Sequence, residues 1–377
     1  MREVLERHVT SGEVPGLVAL VSRHGETDVE VLGTHEAGGG RPMRRDSIFR
    51  IASITKQLAA AVAMTLVEEC RLRLDDPVDD LLPELADRKV LRHPDADLDD
   101  TVPAERPISV RDLLTFRLGI GAVMTPSPLR EAMAEARLSE GPSGTPWGPD
   151  EWMKRLGALP LAHQPGAGWR YHTGSDVLGV LMSRLTGQSL DDLMRERLFD
   201  PLGMRDTGFQ VPADQLHRLP TAYSGDGVVD DARDSLWARP RPMQSAGGGL
   251  VSTADDLLAF CTMMLDKGRY GGARILSRPT VELMTTDLLT EEQKAGNEVF
   301  FGEGSGWGLG FNVVTRRTEI YDTPGRFGWT GGTGTTAYTD PAEGLIGILL
   351  TQRYMDSPMP PKVFQDFWTV AYQEIDG

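Results

Sequence analysis

Residues 57–69 are apolar at almost every position, rich in Ala, Leu and Met, and free of Gly and Pro. That pattern predicts a helix buried on all sides, around which the other elements pack. Upstream, Val4, Leu5 and Val9 mark an amphipathic helix over about residues 2–10, ended by Gly12 and Val14-Pro15-Gly16. Two strand-like runs, 17–22 and 28–32, flank Arg23-His24-Gly25-Glu26-Thr27 and read as a hairpin; 33–45 is a glycine-rich, basic loop. Residues 72–85 read as a turn and a short helix with Pro77 early in it. Ile108-Ser109-Val110-Arg111-Asp112-Leu113-Leu114 reads as a helix capped by Ser109. Further helices are predicted at 129–138 and 149–156, with a Gly- and Pro-rich loop at 141–148 between them. Three more follow: 176–185 closed by Gly187, 190–198 stopped near Pro201, and 253–265 capped by Ser252 or Thr253 with Asp255 and Asp256 in its first turn.

From Gly306 the pattern shortens. Runs 307–314, 318–321, 328–330, 335–339 and 345–351 are β-rich with turns between them, and 363–375 is a last amphipathic helix. Strands at both ends and helices in the middle predict an α+β fold. The N- and C-terminal strands join in one antiparallel sheet flanked by the terminal helices, and a mostly helical lobe is inserted. The expected division is an α/β domain from residues 1–60 plus 240–377 and a helical domain from 61–239, with a site in the cleft between them.

Composition narrows the class. At 377 residues, 40% hydrophobic and 25% charged, this is an ordinary globular chain. The net charge of −16, from 39 basic and 55 acidic residues, argues against a nucleic-acid or anionic-membrane surface. The acidic run 95–100 reads as a solvated loop, since it lacks the Gly and terminal Glu of a calcium loop. Cys70 and Cys261 lie far apart in apolar surroundings and read as buried thiols; no zinc spacing exists. No secretory leader or membrane-length span is visible, so the expected compartment is the cytoplasm. No cofactor and no metal is expected.

Three stretches carry candidate chemistry. Ser53 stands where the central helix begins, and Lys56, three residues on, shares its face. A buried lysine can take or relay the serine proton, and the helix dipole favours the negative charge that develops. The plainer reading is an N-cap serine. Tyr171 lies in a loop before a helix that Ser175 or Asp176 can cap. Beside a protonated lysine its phenolate is favoured and could deprotonate Ser53; the plainer reading is a ring packed on Trp169. In Gly328-Trp329-Thr330-Gly331-Gly332-Thr333-Gly334, glycines mark a close backbone approach. An edge strand there offers an N–H to a developing oxyanion.

Together the three resemble the serine β-lactamase and penicillin-binding protein superfamily, most closely class C β-lactamases and the family VIII carboxylesterases. The resemblance covers most of the chain, including 49–56, 108–115, 165–171, Pro201-Leu202-Gly203-Met204, 247–253 and the box at Trp329. It implies Ser53 as acylated nucleophile, Lys56 and Tyr171 as the base system, and the N–H groups of Ser53 and Gly332 as oxyanion hole, with Trp329 and Gly331 at the substrate. Departures bear on the substrate. Thr173 stands where the lactamase motif has Asn, and Trp329 where the third box begins with Lys. Losing a charged partner removes roughly 1.5–3 kcal/mol of recognition for an anionic substrate. An indole favours an apolar, neutral one. Phe116-Arg117-Leu118-Gly119 replaces the family's His-Thr-Ser-Gly and is expected to border the cleft.

No Gly-x-Ser-x-Gly elbow, His-x-x-x-His pair or phosphate loop supports other hydrolase chemistry; His172 reads as a surface histidine. The reading is a carboxylesterase acting on a small-molecule ester or amide. The alternatives are a β-lactamase, DD-peptidase, D-amino-acid peptidase or acyltransferase of the same fold, and a non-catalytic ligand-binding member. Oligomeric state is open.

Overall fold

In the computed structural model, described for all residues except 123–124, 139–143, 226, 233, 374 and 376–377, the chain begins with helix α1 (Arg2–Thr10). The hairpin β1 (Gly16–Arg23) and β2 (Glu26–Gly33) follows. Its turn residues His24 and Gly25 both have positive φ, 52° and 88°, which suits a two-residue turn between right-twisted strands. The short strand β3 (Phe49–Arg50) leads through a 3₁₀ turn, Ala52–Ile54, into α2 (Thr55–Glu68). Every residue of α2 from Thr55 to Leu66 is buried, as its all-round apolar pattern requires.

The middle of the chain is largely helical. α3 (Val110–Leu114) starts in a reciprocal capping box between Ser109 and Asp112. Helices Pro128–Glu135 and Pro149–Gly157 follow, and then α4 (Thr173–Thr186), closed by left-handed Gly187. Of the loop predicted between the first two, 141–143 lie outside the described residues, and 144–148 form no regular element. The helix expected to stop near Pro201 runs through it. A widened π turn, Arg195–Phe199, precedes the last turn Asp200–Leu202, and a proline with no N–H to give is accommodated there.

β4 (Val251–Ser252) pairs with β3, and Thr253 caps α5 (Ala254–Leu265). Then come β5 (Ser305–Trp307), β6 (Asn312–Val314), β7 (Phe327–Gly331), β8 (Thr335–Asp340), β9 (Leu345–Thr351) and α6 (Lys362–Gln373). These strands and the first hairpin form one antiparallel sheet of seven strands in the order β5-β6-β7-β8-β9-β1-β2. The seam between the chain's two ends is the ladder from Leu17↔Thr351 to Arg23↔Leu345.

Alternation along β1 divides the core. Leu17 and Ala19 face α1 and α6, packing with Leu5, Leu349, Phe367 and Trp368. Val18 and Leu20 face the opposite way, into the larger core around α2 and α5. The expected α+β architecture is therefore the observed one. No helix among the described residues is long and apolar enough to cross a membrane.

Four local expectations fail. The run 307–314 is two strands, because Gly310 (φ 86°) turns the chain against α2, where an added Cβ would lie 2.4 Å from that of Ala60. Residues 318–321 are turns; Ile320 is exposed, so nothing buries that run as a strand. Pro77 bridges Ser109 rather than starting a helix. Cys70 is exposed, past the end of α2 with φ 59°, while Cys261 is buried on α5 and its thiol is pushed up to about 12 by burial.

Candidate active site

Ser53 sits on the 3₁₀ turn at the head of α2, and the cap residue of α2 is Ile54, which makes no side-chain bond. Ser53 is thus not a capping serine. Ala52, just before it, has φ +41°, a conformation an alanine adopts only under constraint. The constraint comes from the sheet. Thr335 Oγ1 donates to the Ile51 carbonyl at 3.3 Å, and Thr333 Oγ1 donates to the carbonyl of Arg50. The Arg50 guanidinium is itself buried against Asp230 and donates to the Pro220 carbonyl at 2.7 Å.

Lys56 is 1% exposed. Its Nζ donates to Ser53 Oγ at 3.1 Å and to the Gly247 carbonyl, lies 3.0 Å from His172 Nδ1, and stands 4.6 Å from the centre of the Tyr171 ring. On the other side of the imidazole, His172 Nε2 is 3.1 Å from Asp176 Oδ2. Asp176 Oδ1 accepts from Ser245 Oγ at 2.7 Å and from Gly247 N at 2.9 Å. Burial opposes ionisation of Asp176, yet the His172, Ser245 and Gly247 bonds outweigh it and hold the carboxyl below its ordinary value.

His172 is therefore not a surface histidine: its side chain is 15% exposed and wedged between a lysine and a carboxylate. α4 begins at Thr173, earlier than expected, so Ser175 and Asp176 lie inside its first turn instead of capping, and Asp176 meets His172. The i, i+4 spacing of His172 and Asp176 is the signal that sequence reading passed over.

Tyr171 is held in an aromatic cluster. Its ring stacks on Trp169 at 5.7 Å, meets Phe116 edge-on at 5.7 Å and packs on Phe300 at 4.9 Å. The ring is packed on Trp169, as the plainer reading expects, and the hydroxyl accepts a 2.6 Å bond from Trp329 Nε1. The Phe116–Gly119 loop does not border the cleft. Phe116 is buried (φ 57°) and its carbonyl accepts from Arg170 N at 2.8 Å, so the loop braces Tyr171 from below.

β7 is not an edge strand: it lies between β6 and β8. But β6 pairs only with Phe327 and Gly328, so Trp329 to Gly331 continue past it toward Ser53. Gly331 is buried, where a Cβ would lie 2.4 Å from the Ile51 carbonyl; its absence of side chain lets the Ser53 turn seat on the sheet. Gly332 is different: a Cβ there would meet nothing within 4 Å, and its carbonyl is tied to Met355 N at 2.8 Å.

Two cavities of about 350 Å³ each meet at Ser53, Tyr171, Gly332 and Met355. One extends past His172 toward Trp152, Trp237, Arg241 and Met243. The other is walled by Val299, Phe300, Trp329, Tyr338 and Pro358, and among the described residues no charged side chain lines it. Gly331 lines neither.

A family model described as Beta-lactamase matches residues 1–362. The chain belongs to the beta-lactamase family. The family is one of serine hydrolases. An uncharacterized protein, MT1414, of Mycobacterium tuberculosis is 38% identical over 367 residues, covering 94% of this chain and 89% of that protein. Esterase EstB of Burkholderia gladioli is 28% identical over 370 residues, covering 92% of this chain and 88% of its own. Among solved structures, EstCE1, a hydrolase with promiscuous acyltransferase activity, superposes with a TM-score of 0.82 at 24% identity over 98% of this chain and 97% of that one.

Proposed function

We propose that this family member is a carboxylesterase that cleaves neutral esters through an acyl-enzyme on Ser53. Ser53 Oγ attacks the ester carbonyl, and Lys56 and Tyr171 handle its proton and return one to the leaving alkoxide. The N–H groups of Ser53 and Gly332 stabilise the oxyanion. One cavity receives the acyl group and the other the alcohol.

The observation that carries the ester reading is the 2.6 Å bond from Trp329 Nε1 to the Tyr171 hydroxyl. A neutral donor occupies the position from which a cation would attract a substrate carboxylate, and the described residues of the adjoining cavity carry no charge. The donor still favours a phenolate, without recruiting an anion. Likeness to an esterase of Burkholderia gladioli supports the same reading.

The test is a comparison of kcat/KM for p-nitrophenyl butyrate and for a chromogenic cephalosporin. Ester turnover roughly 10²-fold or more above β-lactam turnover is expected, from the lost charge-assisted contact and the apolar wall. The reverse ranking would overturn the reading. Acyl transfer is a second reading, favoured by the second cavity at Ser53. Adding a medium-chain alcohol would then divert product from acid to ester.

A further inference from the structure

We propose that His172, braced by Asp176, is a positioning residue that takes up a proton from Lys56 and so frees Lys56 to accept the proton of Ser53. The inference rests on the acyl-enzyme reading and deepens it.

Ser53 Oγ, His172 Nδ1 and the Gly247 carbonyl are three acceptors for the three protons of an ammonium group. In that state Nζ has no lone pair, and Lys56 can donate to Ser53 but not deprotonate it. To act as a base it must first lose a proton to a neighbour. Of the three acceptors, only the imidazole nitrogen is a base that keeps an added proton as a cation; a hydroxyl and an amide carbonyl do not. The Asp176 carboxylate, 3.1 Å from Nε2, fixes the tautomer with hydrogen on Nε2 and leaves the Nδ1 lone pair facing Lys56. The same carboxylate stabilises the imidazolium once it forms.

The backbone is built around this ring. His172 has φ +79° and ψ −66°, closed by Thr173 N donating to the Tyr171 carbonyl at 3.1 Å. This is a γ-turn of the rare, strained hand, placed at the residue between Lys56 and Asp176. One peptide unit fastens both ends of the relay: Gly247 N–H binds Asp176 and the Gly247 carbonyl binds Lys56. A Cβ on Gly247 would lie 2.6 Å from His172 Nε2, so the imidazole occupies space that any other residue would fill.

The proton balance is simple. As the Ser53 Oγ–carbon bond forms, the Oγ–H bond breaks and its proton moves to Lys56 Nζ. A proton already on Nζ moves to His172 Nδ1. Lys56 stays an ammonium, and the charge gained is an imidazolium beside Asp176. When the bond to the alcohol breaks, the proton runs back through Lys56 to the system that protonates the alkoxide. Among the described residues, the titratable groups facing the ring are Lys56 from α2, Asp176 from α4 and the Tyr171 phenol, 5.9 Å away between ring centres. The loop at Ser245 and Gly247 presents only neutral groups.

The experiment measures kcat and KM for p-nitrophenyl butyrate against pH in the full chain, for wild type, H172N, H172Q and G247A, with intact mass on quenched samples. Asparagine tolerates a positive φ, so H172N is expected to fold, with a melting temperature lowered by the lost Asp176 bond. The wild-type kcat should fall at acid pH, where a proton on Nδ1 removes the acceptor. H172N and H172Q should lower kcat about ten- to hundredfold with KM within about twofold, and lose that acid limb. G247A, which displaces the ring, should lower kcat similarly. A wild-type kcat and acid limb in both His172 variants, with the Ser53 adduct still formed, would overturn the relay and leave the acyl-enzyme intact. No adduct in wild type would overturn both.

Discussion

The two walls that meet at Ser53 are built from opposite materials. One is a closed polar network: Lys56 meets His172, His172 meets Asp176, Asp176 accepts from the Gly247 N–H, and the Gly247 carbonyl accepts from Lys56, with Ser245 also donating to Asp176. The other is Phe300, Trp329, Tyr338 and Pro358, with Trp329 Nε1 contributing one neutral hydrogen bond to Tyr171. The first wall can hold and move protons but offers a substrate few free groups. The second can hold a substrate but moves no charge. Where a site separates the two tasks this way, changes to the polar wall should act on kcat, and changes to the apolar wall on selectivity.

The largest break in that comparison is Ser53→Ala. It removes the group both walls serve, and ester turnover should drop by roughly 10⁴-fold or more with the melting curve unchanged. Next, Lys56→Met should lower kcat by about 10²- to 10⁴-fold with a modest change in KM. A variant in which KM rises while kcat stays would assign Lys56 to binding instead. Crossing to the apolar wall, Trp329→Lys should raise kcat/KM for carboxylate-bearing substrates relative to neutral esters by about ten- to hundredfold. Unchanged selectivity would show that this wall does not meet the substrate.

The smallest effect sharpens the account of the polar wall. Asp176 and Asp256 are both buried, but only Asp176 has an imidazole. Burial pushes Asp256 up to about 6 despite bonds from Thr207 and Asp206 N, with the charges of Asp206 and Asp255 adding to the rise. The folded state thus binds the Asp256 proton more tightly than the unfolded chain does. Stability should fall as pH rises from about 4 to about 6, and Asp256→Asn should flatten that fall. Asp176 has the opposite sign, its folded value lying below the ordinary one. It stabilises the fold above about pH 4 and ceases to as pH drops through its folded value. Urea midpoints measured across this range, with and without Asp256→Asn, check the first effect.

These walls were not equally legible in the sequence. Lys56 stands on a helix that its apolar run announces and Ser53 on the turn that leads into it, so their proximity followed from spacing alone. The closing of the sheet by residues at both ends followed from strands placed at both ends. The Trp329 position was visible as an indole in a glycine-rich strand, yet its bond to Tyr171 joins elements 158 residues apart, and no local pattern encodes that. His172 was misread because its meaning depends on where α4 starts. Once the helix begins at Thr173, the imidazole and Asp176 are one turn apart, with the imidazole between Asp176 and Lys56. The loop at Phe116 was misplaced for the same kind of reason: an aromatic residue at positive φ turns inward under Tyr171, and only the cluster it joins shows why.

The most direct test of the central claim is rapid-quench mass spectrometry on the enzyme mixed with p-nitrophenyl butyrate, alongside stopped-flow release of p-nitrophenol. The account predicts a burst of p-nitrophenol and a butyryl adduct that maps to Ser53 and is absent from Ser53→Ala. Turnover of the ester with no adduct, or an adduct on another residue, would contradict it.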